Sequence, residues 1–229
     1  MKLGIILTPD NRSKAYLQKI MYNKIHLDEI ILMNDNKKIQ EINNEMLQES
    51  IKNGFDLSKS IKETLDENNL KFTEFPFIDI NNVEIIDWVK KSNVDFFIFS
   101  GGGILKSNIL QTGKKFVHLH PGIVPQYRGS TCFYYSIINE GICGVTAFIM
   151  NEGLDTGDII YQRTFEKPNH GYIDEVFDAH IRSETLIDML KKKLLLKNNY
   201  KPQNLNHGNT YYIIHPVLKH IAILDCIKN

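Results

Sequence analysis

Three short, almost wholly apolar runs constrain this chain more than any other feature: Leu3–Leu7 (LGIIL), residues 28–33 (DEIILM) and residues 95–100 (DFFIFS). None alternates polar and apolar residues as a half-exposed antiparallel strand does. Near-continuous hydrophobic strands are buried on both faces, which points to a parallel sheet covered by helices. The sequence between the runs supplies those helices. After a turn at Thr8-Pro9-Asp10-Asn11, residues 13–24 have an amphipathic pattern. Residues 34–69 are polar and Asn/Lys-rich, with helical spacing at Ile39, Ile42, Met46 and Leu47 and again at Ile61 and Leu65. A short strand is expected within 72–77, limited by Pro76. A helix over 83–91 would turn Ile86 and Val89 inward and use Trp88 for packing. Further on, the pattern predicts a helix over 104–110, a strand over 116–120, a helix over 130–140 and strands over 144–150 and 159–165. The longest helix is expected over 173–196, acidic in its first turn and Lys-rich at its end, as the helix dipole favours. Beyond Asn198 a β segment near Tyr211 and a terminal helix near Ile221 both remain open. The element order implies an α/β, three-layer, Rossmann-like fold with a mostly parallel sheet flanked by helices. One domain is expected over residues 1–197, with a short C-terminal extension over 198–229.

Composition narrows the function classes. The 27 basic residues balance 27 acidic ones, so the formal charge is zero and a broad nucleic-acid footprint is disfavoured. The three cysteines, Cys132, Cys143 and Cys226, have no CxxC spacing and read as reduced thiols. The opening MKLGIILTPD ends in Pro-Asp without a cleavage pattern, so it reads as a first buried strand. No run of about 18 apolar residues is present, and a cytoplasmic protein with no membrane span is expected. The first βα turn lacks GxGxxG, which leaves dinucleotide binding without a fingerprint.

The chemistry concentrates between Phe116 and Asp158. His118 and His120 stand two apart on an expected strand, so both imidazoles share a face. Pro121-Gly122 stops that strand at its C-terminal end, where open α/β sheets bind ligands. The loop Gly153-Leu154-Asp155-Thr156-Gly157-Asp158 adds two carboxylates between glycines. Histidine and carboxylate together supply acid–base catalysis. Gly101-Gly102-Gly103, directly after a strand, lets a flat ligand or a phosphate approach the backbone, although glycine runs also serve as plain turns. A rival reading takes His118, His120 and Asp155 as ligands of a metal-dependent hydrolase, without an HExxH motif to support it. A third reading is a non-catalytic binding module. His170, His180, His207, His215 and His220 read as surface residues or caps.

The stretch His118-Leu119-His120-Pro121-Gly122-Ile123-Val124-Pro125-Gln126-Tyr127-Arg128-Gly129, with Leu154-Asp155-Thr156-Gly157 after it, resembles the 10-formyltetrahydrofolate-dependent formyltransferase family. That family includes glycinamide ribonucleotide transformylase, methionyl-tRNA formyltransferase and the nucleotide-sugar N-formyltransferases. Gly144-Val145-Thr146 is similar to the family's strand before the aspartate loop, and Ser100-Gly101-Gly102-Gly103-Ile104-Leu105 to its folate-binding loop. The resemblance implies a formyltransferase fold, 10-formyltetrahydrofolate as the formyl donor and no resident metal. It implies that His120 and Asp155 are catalytic, and that His118 stands where the family has an asparagine that donates to the oxyanion. Gly102, Gly103, Ile104, Leu105, Asn151, Gly153 and Leu154 would line the pterin site. Gly122, Tyr127 and Arg128 would face the acceptor, with Gly122 in place of the family's usual serine. The expected acceptor is a small primary amine, first an amino-sugar nucleotide, with glycinamide ribonucleotide and methionyl-tRNA as alternatives. The tail with Tyr211 and Tyr212 is a candidate homodimer contact, as short C-terminal additions are in some sugar formyltransferases.

Overall fold

The computed structural model describes residues 1–34, 41–101 and 103–228. The main sheet has seven strands, mostly parallel and flanked by helices, and the architecture is the expected three-layer, Rossmann-like α/β fold. The chain divides into two compact units, Met1–His118 with Met150–Glu152 and Leu119–Ile149 with Gly153–Asn229.

In the first unit β1 (Leu3–Leu7), β2 (Glu29–Met33), β3 (Thr73–Phe75), β4 (Phe96–Phe99) and the start of β5 (Lys115–His120) pair in parallel, in the order β3-β2-β1-β4-β5. Ile5 stands opposite both Ile30 and Ile98. The three apolar runs are therefore central strands, as their composition requires. One face is closed by α4 (Val83–Lys91), whose Ile85, Ile86 and Val89 join Ile6, Ile31, Met33, Phe97, Phe99 and Phe116 in one apolar cluster. Trp88 packs on that cluster, 6.3 Å from the Phe97 ring centroid, so its role is packing. The alternate residues Ile5, Leu7, Leu32 and Ile98 are equally buried, so both faces are covered.

Helix α1 (Asn11–Tyr22) starts earlier than the hydrophobic pattern alone indicates, because Asp10 caps it by accepting from the Ser13 N–H at 2.8 Å. Helices α2 (Asn44–Lys52) and α3 (Ile61–Glu67) follow, the latter opened by a Ser60/Glu63 capping box. Ile39 lies outside the described residues. Helix α5 (Ser107–Leu110) is shorter than expected. The Asn81 side chain accepts from the Lys106 N–H at 2.8 Å and donates to the Ile104 carbonyl at 3.0 Å, holding 104–106 as loop.

The second unit contains β6 (Tyr127–Gly129), α6 (Cys132–Glu140) and the antiparallel pair β7 (Ile142–Ile149) and β8 (Ile159–Glu166). The long helix expected over 173–196 is in fact three pieces. A π-helical turn (Ile173–Phe177) leads into α7 (Asp178–Lys191), and a 3-10 turn (Leu194–Lys197) follows Lys193, whose φ of 52° ends the right-handed helix. In the tail the two open alternatives coexist. Strand β9 (Asn209–Tyr211) pairs in parallel with β6, and α8 (Pro216–Ile227) starts on a His215 cap with proline in its first turn. Tyr211 is committed internally, stacked on Tyr127 at 5.3 Å and against Tyr135 at 4.4 Å, whereas Tyr212 is 81% exposed. All three cysteines are free and buried. Among the described residues no helix is long and apolar enough to cross a membrane.

Candidate active site

Strand β5 carries both histidines of the motif, and the division between the units falls between His118 and Leu119. In the second unit His120 is 2% exposed, bonded through one ring nitrogen and facing a carboxylate with the other. Nε2 lies 2.9 Å from the Tyr127 carbonyl oxygen, and Nδ1 lies 3.4 Å from Asp155 Oδ2. A carbonyl can only accept, so Nε2 carries the proton and the neutral ring turns its Nδ1 lone pair toward the carboxylate. Burial pushes the His120 pKa below its ordinary value of 6.5, and the Asp155 charge partly opposes that shift. A buried, neutral imidazole beside a carboxylate can accept a proton, and the resulting imidazolium would be stabilised on both sides.

Asp155 is fixed in turn. Its Oδ2 accepts from the Gly129 N–H at 2.8 Å, and its backbone sits at φ 52°, in the left-handed region. Gly129 needs to be glycine: its φ is 100°, and a Cβ would collide with the Tyr211 carbonyl. Behind the histidine, Gly122 is buried. A Cβ there would lie 2.8 Å from His120 Nε2 and 2.7 Å from the Tyr127 carbonyl. The missing side chain thus makes room for the His120–Tyr127 hydrogen bond. Thr146 ties the Pro-Gly turn down: its hydroxyl donates to the Gly122 carbonyl at 2.7 Å and accepts from the Val124 N–H at 3.2 Å. Beneath the strand, Arg182 is a buried partner of Asp178 at 2.7 Å and donates to the Leu119 carbonyl at 2.9 Å.

The other expected acceptor residues are placed as follows. The Tyr127 hydroxyl donates to Glu140 at 2.7 Å, and burial pushes its pKa up to about 12. Arg128 is 9% exposed; its Nη2 lies 3.5 Å from the Leu205 carbonyl, and its Nε has no hydrogen-bond partner among the described residues. A cavity of about 510 Å³ opens nearby, bordered by Tyr127, Glu140, Gln162, Lys201 and His207, but neither His120 nor Asp155 lines it. Leu154 is half exposed and Gly153 exposed.

In the first unit His118 is half-buried, with Nδ1 3.3 Å from the Phe99 carbonyl oxygen. Of the glycine-loop residues, Gly102 lies outside the described residues. Gly103 has open space where a Cβ would stand, Ile104 is exposed, and Leu105 is buried in the apolar cluster. Asn151 is exposed; its neighbour Glu152 accepts from the Ser107 hydroxyl at 2.5 Å. Asn81, Gly129, Thr146 and the Asp178–Arg182 pair did not emerge from the sequence as site residues. Gly129 and Thr146 stood within the quoted motifs without a role, and the Asp178–Arg182 pair left a local signal, an acid and a base four apart on a helix.

The match to a protein-family model now decides the family. The model described as formyl transferase matches residues 5–176, three quarters of the chain. The chain belongs to the formyl transferase family. A methionyl-tRNA formyltransferase of Clostridioides difficile (strain 630) is 32% identical over 175 residues, covering 74% of this chain and 55% of that relative. The chain spans between 33% and 55% of the curated relatives it matches. Among solved structures, a sugar N-formyltransferase from Shewanella sp FDAARGOS_354 has a TM-score of 0.60 at 18% identity, covering 99% of this chain and 88% of that one. The N-formyltransferase from Helicobacter canadensis, solved in complex with folinic acid and dTDP-3-aminofucose, has a TM-score of 0.63 at 17% identity, covering 99% and 80%. Such likeness establishes the formyltransferase fold. Among the described residues no group of three His, Cys, Asp or Glu side chains is gathered for a metal.

Proposed function

We propose that this chain transfers a formyl group from 10-formyltetrahydrofolate to a primary amine. The observation that carries the proposal is the buried His120, anchored through Nε2 to Tyr127 and facing the clamped Asp155 through Nδ1. The amine attacks the formyl carbon as a neutral nucleophile. The tetrahedral intermediate then collapses with cleavage of the bond to N10 of the folate. The proton lost by the amine passes to the His120–Asp155 pair, and N10 leaves protonated, giving the formamide and tetrahydrofolate. Backbone groups of residues 102–105, Asn151, Gly153 and Leu154 would hold the pterin.

His118 takes the oxyanion role with a condition that asparagine lacks. Its Nδ1 donates to the Phe99 carbonyl, so an N–H at Nε2 exists only in the imidazolium.

For the acceptor we favour a small anionic amine, first an amino-sugar nucleotide. Arg128 supports this, as a buried guanidinium with no ion-pair partner among the described residues, which favours an anion. Methionyl-tRNA is the second acceptor to assay, because of the sequence identity to methionyl-tRNA formyltransferases. A cytoplasmic location belongs to the same proposal. The test is thermal unfolding with 5-formyltetrahydrofolate, then donor turnover with amino-sugar nucleotides, glycinamide ribonucleotide and methionyl-tRNA. A native-state ligand at 100 times its Kd stabilises by about 2.7 kcal/mol, a clear rise in Tm. No shift and no formylated acceptor would overturn the proposal.

A further inference from the structure

We infer that Gln203, which lies beyond the family-matched residues 5–176, is a positioning residue that sets the Asp155 carboxylate against His120. The inference rests on the functional reading above. Its Nε2 donates to the Asp155 carbonyl at 2.9 Å and to the Gly157 carbonyl at 2.7 Å, so one amide group spans the turn of the aspartate loop. Both partners are carbonyls, which accept only. The amide nitrogen must therefore face the loop, and its orientation follows from the chemistry of its partners.

Three observations give this contact weight. First, Asp155 has a φ of 52°, in the left-handed region that L residues adopt only where their surroundings hold them. The Gly129 N–H holds the carboxylate end and Gln203 holds the backbone end. Second, Gln203 is itself delivered by an anchored strand. Two residues earlier Lys201 exchanges backbone hydrogen bonds with Ile159, at 2.8 and 2.9 Å, where β8 begins, and six residues later the Asn209 N–H donates to the Gln126 carbonyl at 3.1 Å. Third, Gln203 Oε1 is buried without a partner among the described residues. A buried acceptor without a hydrogen-bond partner destabilises the fold. Both Gln203 amide protons are committed to the aspartate loop. All of these groups lie in the second unit.

A positioning residue changes how well the carboxylate acts on the imidazole, rather than whether substrates bind. The charged groups acting on His120 are Asp155, Arg182 and Asp178, and of these Gln203 bonds only to the loop of Asp155. Gln203→Leu keeps the bulk and removes both donors. Gln203→Glu turns an acceptor toward the two carbonyls. Misplacement of a catalytic group by about 1 Å costs about 100-fold, so we expect kcat to fall about 10- to 100-fold in both variants, with KM for folate and acceptor within about twofold. A contact that merely stabilised the fold would lower Tm and leave the chemistry alone. NMR titration of the His120 ring separates the two, because it needs no turnover. Asp155 raises the His120 pKa, so loosening the loop should move the titration to lower pH in both variants. Tyr212→Ser, which changes an exposed tail side chain, should leave kcat and the titration as in the parent. Unchanged kcat and unchanged titration in Gln203→Leu would overturn the inference while leaving formyl transfer standing. A moved titration in a protein that formylates no acceptor would support the positioning and sink the functional reading. Should Gln203→Leu fail to fold, Gln203→Glu decides on the same two readouts.

Discussion

The two units differ in how many acidic and basic side chains they bury; in the first, Lys19 is buried. The cluster that closes one face of the first unit's sheet is apolar throughout, from Ile6 and Ile31 to Phe97, Phe99 and Phe116. The second unit buries His120, Arg128, Asp178 and Arg182. An apolar cluster requires the right volume and pattern, and tolerates exchange among hydrophobes of similar size. A buried ionisable group requires a particular partner at a particular atom, and losing that partner exposes the full desolvation cost. The first unit should therefore respond to substitution in stability, gradually. The second should respond sharply, and in chemistry as well.

The largest effect expected is on turnover. His120→Ala and Asp155→Asn should each lower kcat by about 10²–10⁴, the usual contribution of general acid–base catalysis, with the circular dichroism spectrum retained. Phe97→Leu in the first unit should leave kcat alone. If both second-unit variants keep parental turnover, the contrast between the units has no chemical content and the proposed function falls with it.

Next comes the Asp178–Arg182 pair. Asp178→Ala strands a buried guanidinium and should cost about 3–5 kcal/mol, while Ile6→Val in the first unit should cost about 0.5–1.5 kcal/mol. Urea unfolding of the two variants measures the difference, and equal losses would break the comparison. The Arg182 bond to the Leu119 carbonyl should also make Asp178→Ala slower in turnover, since that carbonyl immediately precedes His120.

How much of this was legible in the sequence follows the same division. The central strands of the first unit could be read because apolar composition is itself the cause of their burial. The order of elements and the pairing of His120 with Asp155 could be read from local spacing and from the family's motifs. What stayed hidden depends on contacts between distant residues with no periodic signature. Asn81 stops a helix 25 positions away. Strand β6 exists because β9, more than 80 residues later, pairs with it. The break at Lys193 leaves no proline or glycine to announce it. Gly122 read as space on the acceptor side, and its place behind the His120 ring emerges only when Tyr127 folds back over it.

Gly122 provides a smaller test. Gly122→Ala places a Cβ 2.8 Å from His120 Nε2 and 3.0 Å from the Cys132 Cβ, so something must move. Overpacking of this kind costs about 1–3 kcal/mol, and here it should also weaken the His120–Tyr127 bond. We expect a lower urea midpoint together with a changed pH profile of kcat. Loss of stability with an unchanged profile would place Gly122 in the fold alone.

The smallest effect expected is the pH dependence of stability, and its pH window distinguishes the units. Burial lowers the His120 pKa from its ordinary 6.5. As pH falls from about 6.5 toward the folded value, the unfolded chain takes up a proton that the folded one refuses, so stability is lost across that window and is fully present above it. Lys14, in the first unit, is also lowered by burial, but from 10.5, with Asp56 and Glu63 opposing. By the same linkage its contribution is fully present only above about 10.5, is lost as pH falls toward its folded value, and lies outside the acid window. Urea unfolding from pH 7.5 down to 5, comparing the parent with His120→Gln, isolates the second unit's share. Glutamine can still donate to the Tyr127 carbonyl but cannot titrate, so the parent should lose more stability than the variant below pH 6.5. Parallel curves would mean that His120 protonates as readily in the folded chain as in the unfolded one. Its neutral form would then not be held by burial, and its proposed role as proton acceptor would lose its physical basis.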